Sequence, residues 1–394
     1  MRVFRDIQMR VLFVTPSYFP ITGGSEVLTR VLAQKVKEAG VQSDIMTLNM
    51  NIKWFPRCRD EVTFERSTKV FKQGGVNPLP RLPNPFSQIL RINIIPRLSY
   101  IKKLNCYDIL HFVGEDDLSF AFLSKFVKKP RLMQCVAVHK NGGLYRYYIR
   151  EKPYWGKLFA KAFPTIADKF LVSSLEEKKL LRDLGVSKEK IAIIKIGVDV
   201  ETFKPDPEKK TEDVILFVGR IYKVKGLHIL LQALQYIDIP VKLVVIGPSW
   251  DSEYMREIDQ QIKSINRIGL HRITLLGELD SSALVLWYQR AAIVVCPFVY
   301  EPSSNVVREA LACGTPVIST GTHIVEKCPD GIRTTKKDPK SLADAITFLL
   351  KEHSARRRMG NEGRGVIETH YSWESIIEDL LKLYQDASTS FLSR

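Results

Sequence analysis

Short apolar runs alternate with longer helical patterns along most of this chain. The runs are bounded by charged, glycine or proline residues, which is typical of strands buried on both faces of a parallel sheet. In the first half the predicted strands are Arg10–Thr15, Ser43–Leu48, Ile109–Val113, Arg131–Val138 and Lys169–Val172. In the second half they are Val214–Val218, Lys242–Ile246, Ile273–Leu276, Ile293–Cys296 and Pro316–Ser319. The alternation predicts an α/β protein built from β-α-β units.

One segment interrupts this alternation. Residues 203–210 are polar and proline-rich and lack periodicity, so we expect a linker there. The chain of 394 residues is long enough for two domains with separate cores. We expect an N-terminal domain over residues 1–200, a C-terminal domain over 201–370 and a terminal segment over 371–394, in which residues 373–384 form an amphipathic helix.

The charge of the chain is concentrated in its first half. Residues 1–190 hold 33 Lys and Arg against 17 Asp and Glu, and residues 191–394 hold 26 of each class. The stretch 79–104 interleaves cations with large apolar residues, a mixture that an anionic membrane surface attracts. A helix pair with an apolar side in the core and a basic side in solvent would show the same pattern. No nucleic-acid partner is expected, because no nucleic-acid-binding motif accompanies the charge.

Cysteine spacing and hydropathy bear on the cellular compartment. The six cysteines are too widely separated to suggest a metal clip or a redox pair, so we expect buried free thiols in a reducing compartment. No apolar run approaches the roughly 20 residues that span a bilayer. Charges run through the first residues, where a signal peptide would be apolar. We therefore expect a cytoplasmic protein, with peripheral membrane contact through the basic first half.

Two glutamates flank a predicted helix start late in the chain. Glu301 follows the strand that ends at Cys296, and Ser303, Ser304 and Asn305 are good N-cap residues for a helix that carries Glu309. The unpaired amides of a helix start form an anion site. Amides for a diphosphate, one carboxylate for a sugar and one for ribose hydroxyls would suit a sugar nucleotide. A surface loop followed by a solvated helix would show the same spacing.

Two other loops have the composition of phosphate sites. Gly23 and Gly24 follow the first strand and lead into a helix, where glycines let backbone amides approach a phosphate, although an ordinary loop fits equally well. The loop after Val218 carries Arg220 and Lys225. Two such cations at a strand end can hold one diphosphate from two sides. Taken alone, this loop could also be a solvated basic turn.

The joint pattern is more specific than its parts. Gly-Gly-Ser-Glu near the first strand, Val-Gly-Arg followed by Lys225-Gly226, and Glu301 to Glu309 running into EALACGTPVIST resemble the retaining glycosyltransferases of family 4, which have the GT-B fold. Similar strings fall at 108–111, 136–139, 197–199, 275–279 and 371–374. The resemblance implies two Rossmann-like domains facing a cleft, with the sugar nucleotide held mainly by the second. It also implies a C-terminal helix that crosses back to the first domain.

The resemblance further implies roles for individual residues. Arg220 and Lys225 neutralise the leaving diphosphate, Glu301 binds the donor sugar, Glu309 binds the ribose hydroxyls, and His139 lies beneath the sugar. The other donor-binding positions are Gly23, Gly24, Ser304, Asn305, Val306, Gly277, Glu278 and Leu279. We assign Glu26 to the acceptor. His139 could alternatively be a satisfied histidine at a strand end, and His111 on the adjacent strand is expected to be structural.

The expected activity is hexose transfer from a nucleotide-diphosphate sugar to a lipid-linked or membrane-surface acceptor, in glycan or glycolipid biosynthesis. A soluble sugar or small alcohol as acceptor is an alternative, and so is a non-catalytic membrane or polyanion binder on the same scaffold. No metal or other cofactor is expected, because no carboxylate cluster resembles a DxD-type site. Pro302-Ser303-Ser304 replaces a Gly-Phe-Gly-like string of many members, which leaves the sugar and the base open.

Overall fold

The computed structural model describes most of the two halves of the chain. The described residues are 9–15, 24–48, 61–65, 68–73, 75–76, 95–96, 100–114, 126–136, 163–206, 208, 214–249, 251–299, 304–320, 332–334 and 337–393. The chain divides into two compact units. The first unit is Met1–Lys195 together with Ile376–Arg394, and the second is Ile196–Ser375.

The first unit is built on an eight-stranded sheet with the order β10-β9-β8-β7-β1-β2-β4-β3. Its strands are β1 (Arg10–Thr15), β2 (Gln42–Leu48), β3 (Glu61–Glu65), β4 (Thr68–Gln73), β7 (Ile109–Val113), β8 (Arg131–Gln134), β9 (Lys169–Val172) and β10 (Ile191–Ile193). Neighbouring strands are parallel except β3 and β4, which are antiparallel. A small antiparallel pair, β5 (Gly75–Val76) with β6 (Ile95–Pro96), follows β4. The central strands are almost wholly buried, as their apolar composition requires.

Helices cover this first sheet and complete its core. Among the described residues, the helices of the unit are α1 (Gly24–Glu38), α2 (Tyr100–Leu104), α3 (Leu175–Asp183) and, from Ile376 onward, α10 (Trp373–Leu392). Phe163 and Phe170, whose ring centroids are 5.1 Å apart, form the aromatic centre of one cluster. α3 begins with a capping box in which Ser174 and Glu177 satisfy each other's backbone amides. Within the described residues no helix is both long and apolar enough to cross a bilayer.

The second unit contains a six-stranded parallel sheet with the order β13-β12-β11-β14-β15-β16. Its strands are β11 (Val214–Val218), β12 (Val241–Ile246), β13 (His271–Gly277), β14 (Ile293–Cys296), β15 (Val317–Ser319) and β16 (Ile332–Thr334). Its helices are α4 (Leu227–Leu234), α5 (Ser252–Ile268), α6 (Ser281–Arg290), α7 (Asn305–Ala312), α8 (Pro339–Lys351) and α9 (His353–His370). Two apolar clusters, one containing Phe217 and the other Leu216, pack against this sheet. Alternate residues of a strand face opposite sides, so these clusters lie on its two faces.

The predicted strands agree closely with the observed ones. β1, β7, β9, β11 and β14 have the predicted bounds. β8 ends at Gln134 rather than Val138, and residues 137–138 lie outside the described residues. The sequence interpretation missed β3, β4, β5, β6, β10 and β16. β5 and β6 are two residues long and β10 and β16 three, while β3 and β4 mix polar with apolar residues, so none is an apolar run of ordinary length.

His111 on β7 joins the terminal helix to the first sheet. Both His111 and Tyr384 of α10 are fully buried, and His111 Nδ1 lies 2.6 Å from the Tyr384 hydroxyl. The imidazole also packs on Phe13, with ring centroids 4.9 Å apart. This placement agrees with the expected structural role of His111. The terminal helix is therefore attached to the first unit by a polar contact as well as by apolar packing.

Acidification is expected to weaken the first unit through His111. Burial lowers the pKa of His111 from 6.5 to about 3, so in this interval the unfolded state binds the proton and the folded state does not. The stability contribution is complete above pH 6.5 and falls by about 1.4 kcal/mol for each pH unit below it. The free energy of unfolding, measured in urea, should therefore fall by about 2 kcal/mol more between pH 7 and pH 5 in the parent protein than in His111→Asn, which keeps a polar atom near Nδ1 but does not bind the proton. An equal fall in the two proteins would contradict the prediction.

Candidate functional site

The strand order of the second unit reverses between β11 and β14. From β11 the chain builds outward through β12 and β13, and it then crosses to β14, β15 and β16 on the other side. In open parallel sheets such a reversal leaves a crevice at the carboxyl ends of the two strands, where ligands bind. Two loops border it, and their described parts are residues 219–226 and 297–299. Their backbones are joined where the Val299 amide donates to the Val224 carbonyl over 2.9 Å.

A glycine allows these two loops to approach each other. Gly226 ends the first loop with φ +76°, in the left-handed region that favours glycine. A Cβ at this position would lie 1.8 Å from the Pro297 carbonyl oxygen. Any other residue would push the loops apart, so Gly226 is required both by its backbone conformation and by the close contact.

The first loop carries both predicted phosphate-binding cations. Arg220 follows β11 at the second position after the strand, and its side chain is exposed. Lys225 is partly buried, with Nζ 5.3 Å from the centroid of the Phe298 ring in the other loop. A cation at that distance from an aromatic face is held by it without losing access to solvent. The geometry therefore brings an exposed and a partly buried cation to the reversal point.

Helix α7 begins at the end of the second loop. Ser304 is its N-cap and is buried, and Ser304 Oγ accepts from the Val307 amide over 3.4 Å. This confirms that the helix starts among the three predicted capping residues. Asn305 is exposed and Val306 partly so, and the Asn305 side chain accepts a hydrogen bond from the buried guanidinium of Arg308. The remaining first-turn amides and a buried cation together give this helix start a positive potential.

Glu309 lies one turn further along α7 and is held by a tyrosine. The buried Tyr288 hydroxyl on α6 donates to Glu309 Oε2 over 2.8 Å. Burial raises the pKa of Glu309, whereas this hydrogen bond and the charge of Arg308 lower it. Burial also raises the pKa of Tyr288 well above its usual value, so the tyrosine remains the donor. Since Glu309 is only partly buried, its carboxylate can accept further hydroxyl donors.

The end of β13 contributes a third loop to the same edge of the sheet. Gly277 has φ +70° and its carbonyl accepts from the Gly247 amide over 2.7 Å. Glu278 is exposed, and Leu279 packs against the apolar cluster that contains Tyr288. Because the carboxyl ends of parallel strands lie along one edge of a sheet, the structure places these predicted donor-binding residues on the same edge as Arg220.

Only some of the predicted site residues of the first unit are among the described residues. Gly24 is the first residue of α1, and Glu26 is buried in its first turn, where Oε2 accepts from Ser25 Oγ over 3.1 Å. A buried carboxylate that already has a local partner is less suited to bind an acceptor substrate than an exposed one. The assignment of Glu26 to the acceptor substrate stays a prediction. Gly23, His139 and Glu301 lie outside the described residues.

Two site residues escaped the sequence interpretation. Tyr288 lies in an apolar helical pattern that indicates only core packing, and it reaches Glu309 through the fold, 21 positions away in the chain. Arg308 is adjacent to Glu309, and its charge predicts an exposed helix residue, yet its side chain is buried at 3% exposure. A cation directly before the acid was the one available signal for Arg308, while no sequence pattern pointed to Tyr288.

Comparisons with known proteins bear on both units. Residues 22–202 match the family model described as Glycosyltransferase Family 4. Residues 212–352 match the model described as Glycosyl transferases group 1. The two matches are consecutive, and between them they leave out the beginning of the chain, residues 203–211 and the last helices.

Several curated relatives have similar sequences. A D-inositol 3-phosphate glycosyltransferase of Corynebacterium urealyticum is 31% identical over 225 residues, which are 51% of this chain and 52% of that protein. Spore coat protein SA of Bacillus subtilis is 29% identical over 50% of this chain and 59% of its own length. The chain thus spans about half the length of these relatives. An uncharacterized glycosyltransferase of Methanocaldococcus jannaschii is 24% identical, with 96% of this chain and 98% of that protein covered.

Solved structures share the fold over nearly the whole chain. Sucrose-phosphate synthase from Thermosynechococcus elongatus superposes with a TM-score of 0.72 at 21% identity, covering 97% of this chain and all of that one. The Anabaena protein HepE, solved in complex with UDP and glucose, superposes with a TM-score of 0.73 at 16% identity, covering 96% of this chain and all of that one. These similarities establish the α/β fold with two Rossmann-like units that the sequence predicted.

Proposed function

We propose that the chain is a retaining hexosyltransferase of family 4 that uses a nucleotide-diphosphate sugar as donor, since the two consecutive glycosyltransferase family models that match it support this assignment. The proposed acceptor is lipid-linked or presented at a membrane surface. One observation carries the donor assignment. At the strand reversal of the second unit, the loop with Arg220 and Lys225 is joined by the hydrogen bond from the Val299 amide to the Val224 carbonyl to the chain that follows β14 and precedes α7, the helix of Glu309. Solved HepE structures that contain UDP and UDP-glucose support the same donor class.

The arrangement suits cleavage of a sugar-phosphate bond. Breaking this bond leaves positive charge on the sugar ring and negative charge on the departing diphosphate. Arg220 and Lys225 would stabilise the diphosphate, and the start of α7 would add backbone donors. Glu309, oriented by Tyr288, would accept hydrogen bonds from the ribose hydroxyls. This set of groups provides stronger binding as the leaving group acquires charge, which is the condition for catalysis.

Retention of configuration follows from attack on the face that the leaving group departs from. In this step the bond from the anomeric carbon to the phosphate oxygen breaks as the acceptor oxygen bonds to the same carbon. The acceptor proton passes to the departing phosphate oxygen, so no covalent enzyme intermediate is formed. We assign Glu301 and His139 to contacts with the sugar, as the family resemblance implies.

A soluble acceptor is the second candidate. The names of several relatives favour it, since they include D-inositol 3-phosphate glycosyltransferase and sucrose-phosphate synthase. The strongly basic first half of the chain favours a membrane acceptor and peripheral attachment instead. Transfer assays with lipid-linked sugars and with inositol phosphate or sugar phosphates would separate the two acceptor classes.

Nucleotide diphosphates are expected to raise the melting temperature of the purified protein. A ligand that binds only the folded state stabilises it by about 2.7 kcal/mol at one hundred times its dissociation constant. UDP, GDP and ADP and their hexose conjugates should be compared by thermal shift, with the matching monophosphates as controls. We expect one diphosphate to stabilise the protein clearly more than its monophosphate. No stabilisation by any of them at millimolar concentration, together with no release of diphosphate, would refute the proposed function.

A further inference from the structure

The edge hairpin of the first unit has two chemically different faces. Opposite residues of an antiparallel pair point to the same side, and the register pairs Val62 with Phe71 and Phe64 with Lys69. These four side chains therefore share one face, which we call the hairpin face. Glu65 of β3 lies on the opposite side of the strand, because it alternates with Phe64.

Apolar side chains on the hairpin face are unusually exposed. Val62 is 51% exposed and Phe64 is 67% exposed, although both lie within a regular strand. β3 is also the last strand of the sheet in the described part of the chain. Natural edge strands are generally protected by charges or by coverage rather than left with an aromatic side chain in solvent. An exposed phenylalanine beside an exposed valine at a sheet edge indicates a surface that contacts something else.

Cations surround these apolar side chains. Lys69 is exposed directly opposite Phe64. The α2 helix places Lys103 over the Phe71 ring, with Nζ 3.7 Å from its centroid, and the neighbouring Lys102 is exposed. Glu65 lies on the other side, where it is paired with Arg30 of α1 over 3.5 Å. The hairpin face thus combines apolar groups with positive charge, as amphipathic interfacial surfaces do.

The sequence that follows the hairpin combines the same classes of residue. Residues 77–94 come between β5 and β6 in the chain. These 18 residues include two arginines, no acidic residue and seven Leu, Ile or Phe. Over residues 53–103 the chain carries 11 Lys and Arg against 3 Asp and Glu. An acidic protein would match the charge, but a membrane interface matches both the charge and the clustered apolar residues.

We propose that the hairpin face docks the protein on an anionic lipid surface. Phe64 and Val62 would enter the interfacial region, and Lys69, Lys102 and Lys103 would meet the lipid phosphates. The inference deepens the proposed function, since it rests on an acceptor that is presented at a membrane. It adds the part of the surface that makes the contact and the residues responsible.

The test is vesicle binding by the full-length protein. Phosphatidylcholine vesicles with and without phosphatidylglycerol are compared by flotation at low and high salt. Val62→Thr with Phe64→Thr keeps good strand formers in β3 and should lower binding to anionic vesicles about tenfold at both salt concentrations. Lys69→Gln with Lys102→Gln should lower it by more than tenfold at low salt, since each lysine contributes about fivefold, and only slightly at high salt.

A matched control comes from the second unit. Ile268 is 78% exposed and Arg272 is exposed nearby on β13, so Ile268→Thr with Arg272→Gln makes the same kind of change elsewhere. We expect this control to bind vesicles as the parent does. Parental binding by both hairpin variants, or equal losses in the control, would overturn the proposal. Loss of a dimer in light scattering with vesicle binding unchanged would overturn it as well, by assigning the face to a second copy of the chain.

Failure of the docking proposal can be distinguished from failure of the proposed function, because nucleotide binding and vesicle binding are measured separately. Stabilisation by a nucleotide diphosphate is measured without vesicles for the parent and each variant, and it should be equal in all of them if they are folded. A parent that binds the diphosphate but not anionic vesicles would refute docking alone. A parent that binds vesicles through the hairpin face but no nucleotide would support docking and refute the donor assignment.

Discussion

Replacing Arg220 or Lys225 with alanine lowers the rate of sugar transfer by about 100-fold to 1000-fold in each case, according to the proposed mechanism. The loss is large because each cation acts on a charge that grows as the diphosphate leaves, in a crevice between two loops. The fold should persist, since Arg220 is exposed and Lys225 is only partly buried. Diphosphate release at saturating donor is the direct measurement, and thermal unfolding checks that the variants are folded.

Lys223 provides the matched control for these two variants. It lies in the same loop and is exposed, so Lys223→Ala removes the same charge without removing a proposed phosphate contact. We expect at most a few-fold change in rate, from the weaker general field. Arg220→Lys should recover only part of the lost activity, because an ammonium cannot make the paired contacts of a guanidinium. If Lys223→Ala were as damaging as the other two, the effect would belong to the net charge of the loop rather than to the two named side chains.

Arg364→Met is expected to destabilise the second unit by about 3 kcal/mol or more. The Arg364 guanidinium on α9 donates to the Ala312 carbonyl at the end of α7 over 2.6 Å and to the Phe203 carbonyl over 2.7 Å. It also donates to the Val200 carbonyl over 3.2 Å, while Nε binds Glu368. Methionine keeps most of the aliphatic packing but leaves these carbonyls without their donor, and unsatisfied buried acceptors are costly.

Arg358 on the same helix is the control for this substitution. It is exposed, so Arg358→Met should change the free energy of unfolding by no more than about 0.5 kcal/mol. Chemical denaturation of both variants, followed by fluorescence of the tryptophans, measures the difference. Because Arg364 holds the end of the helix that carries Glu309, its loss should also weaken nucleotide binding. Equal stability of the two variants would mean that water replaces the guanidinium at these carbonyls.

The sheets could be predicted well because their strands are buried on both faces. Strands such as β11 and β14 are continuous apolar runs ended by glycine or proline, and this local signal does not depend on what packs against them. The start of α7 was equally predictable, since Ser304 caps it through its own side chain within one turn. The β3 strand was missed because its apolar residues face outward, so it forms no buried run.

The candidate site was predictable in its residues but only partly in its geometry. The sequence identified Arg220, Lys225 and Glu309 as separate loop and helix residues, and the family resemblance connected them. It did not identify Tyr288, which holds Glu309 from another helix, or the burial of Arg308. These features depend on how α6 and α7 pack together, and a short sequence window contains no record of that packing.

The amino-acid sequence by itself determined where most of the buried strands lie, where helix α7 starts, and which loops carry cations, glycines and acids. These properties arise from hydrophobic periodicity and from capping, which act between residues close in the chain. Only the tertiary structure decided that β11 and β14 are neighbours, that Tyr288 reaches Glu309 and that Phe64 shares a face with Lys69. These facts depend on strand order, register and side-chain packing between residues distant in the chain, which are settled by the burial of the whole core.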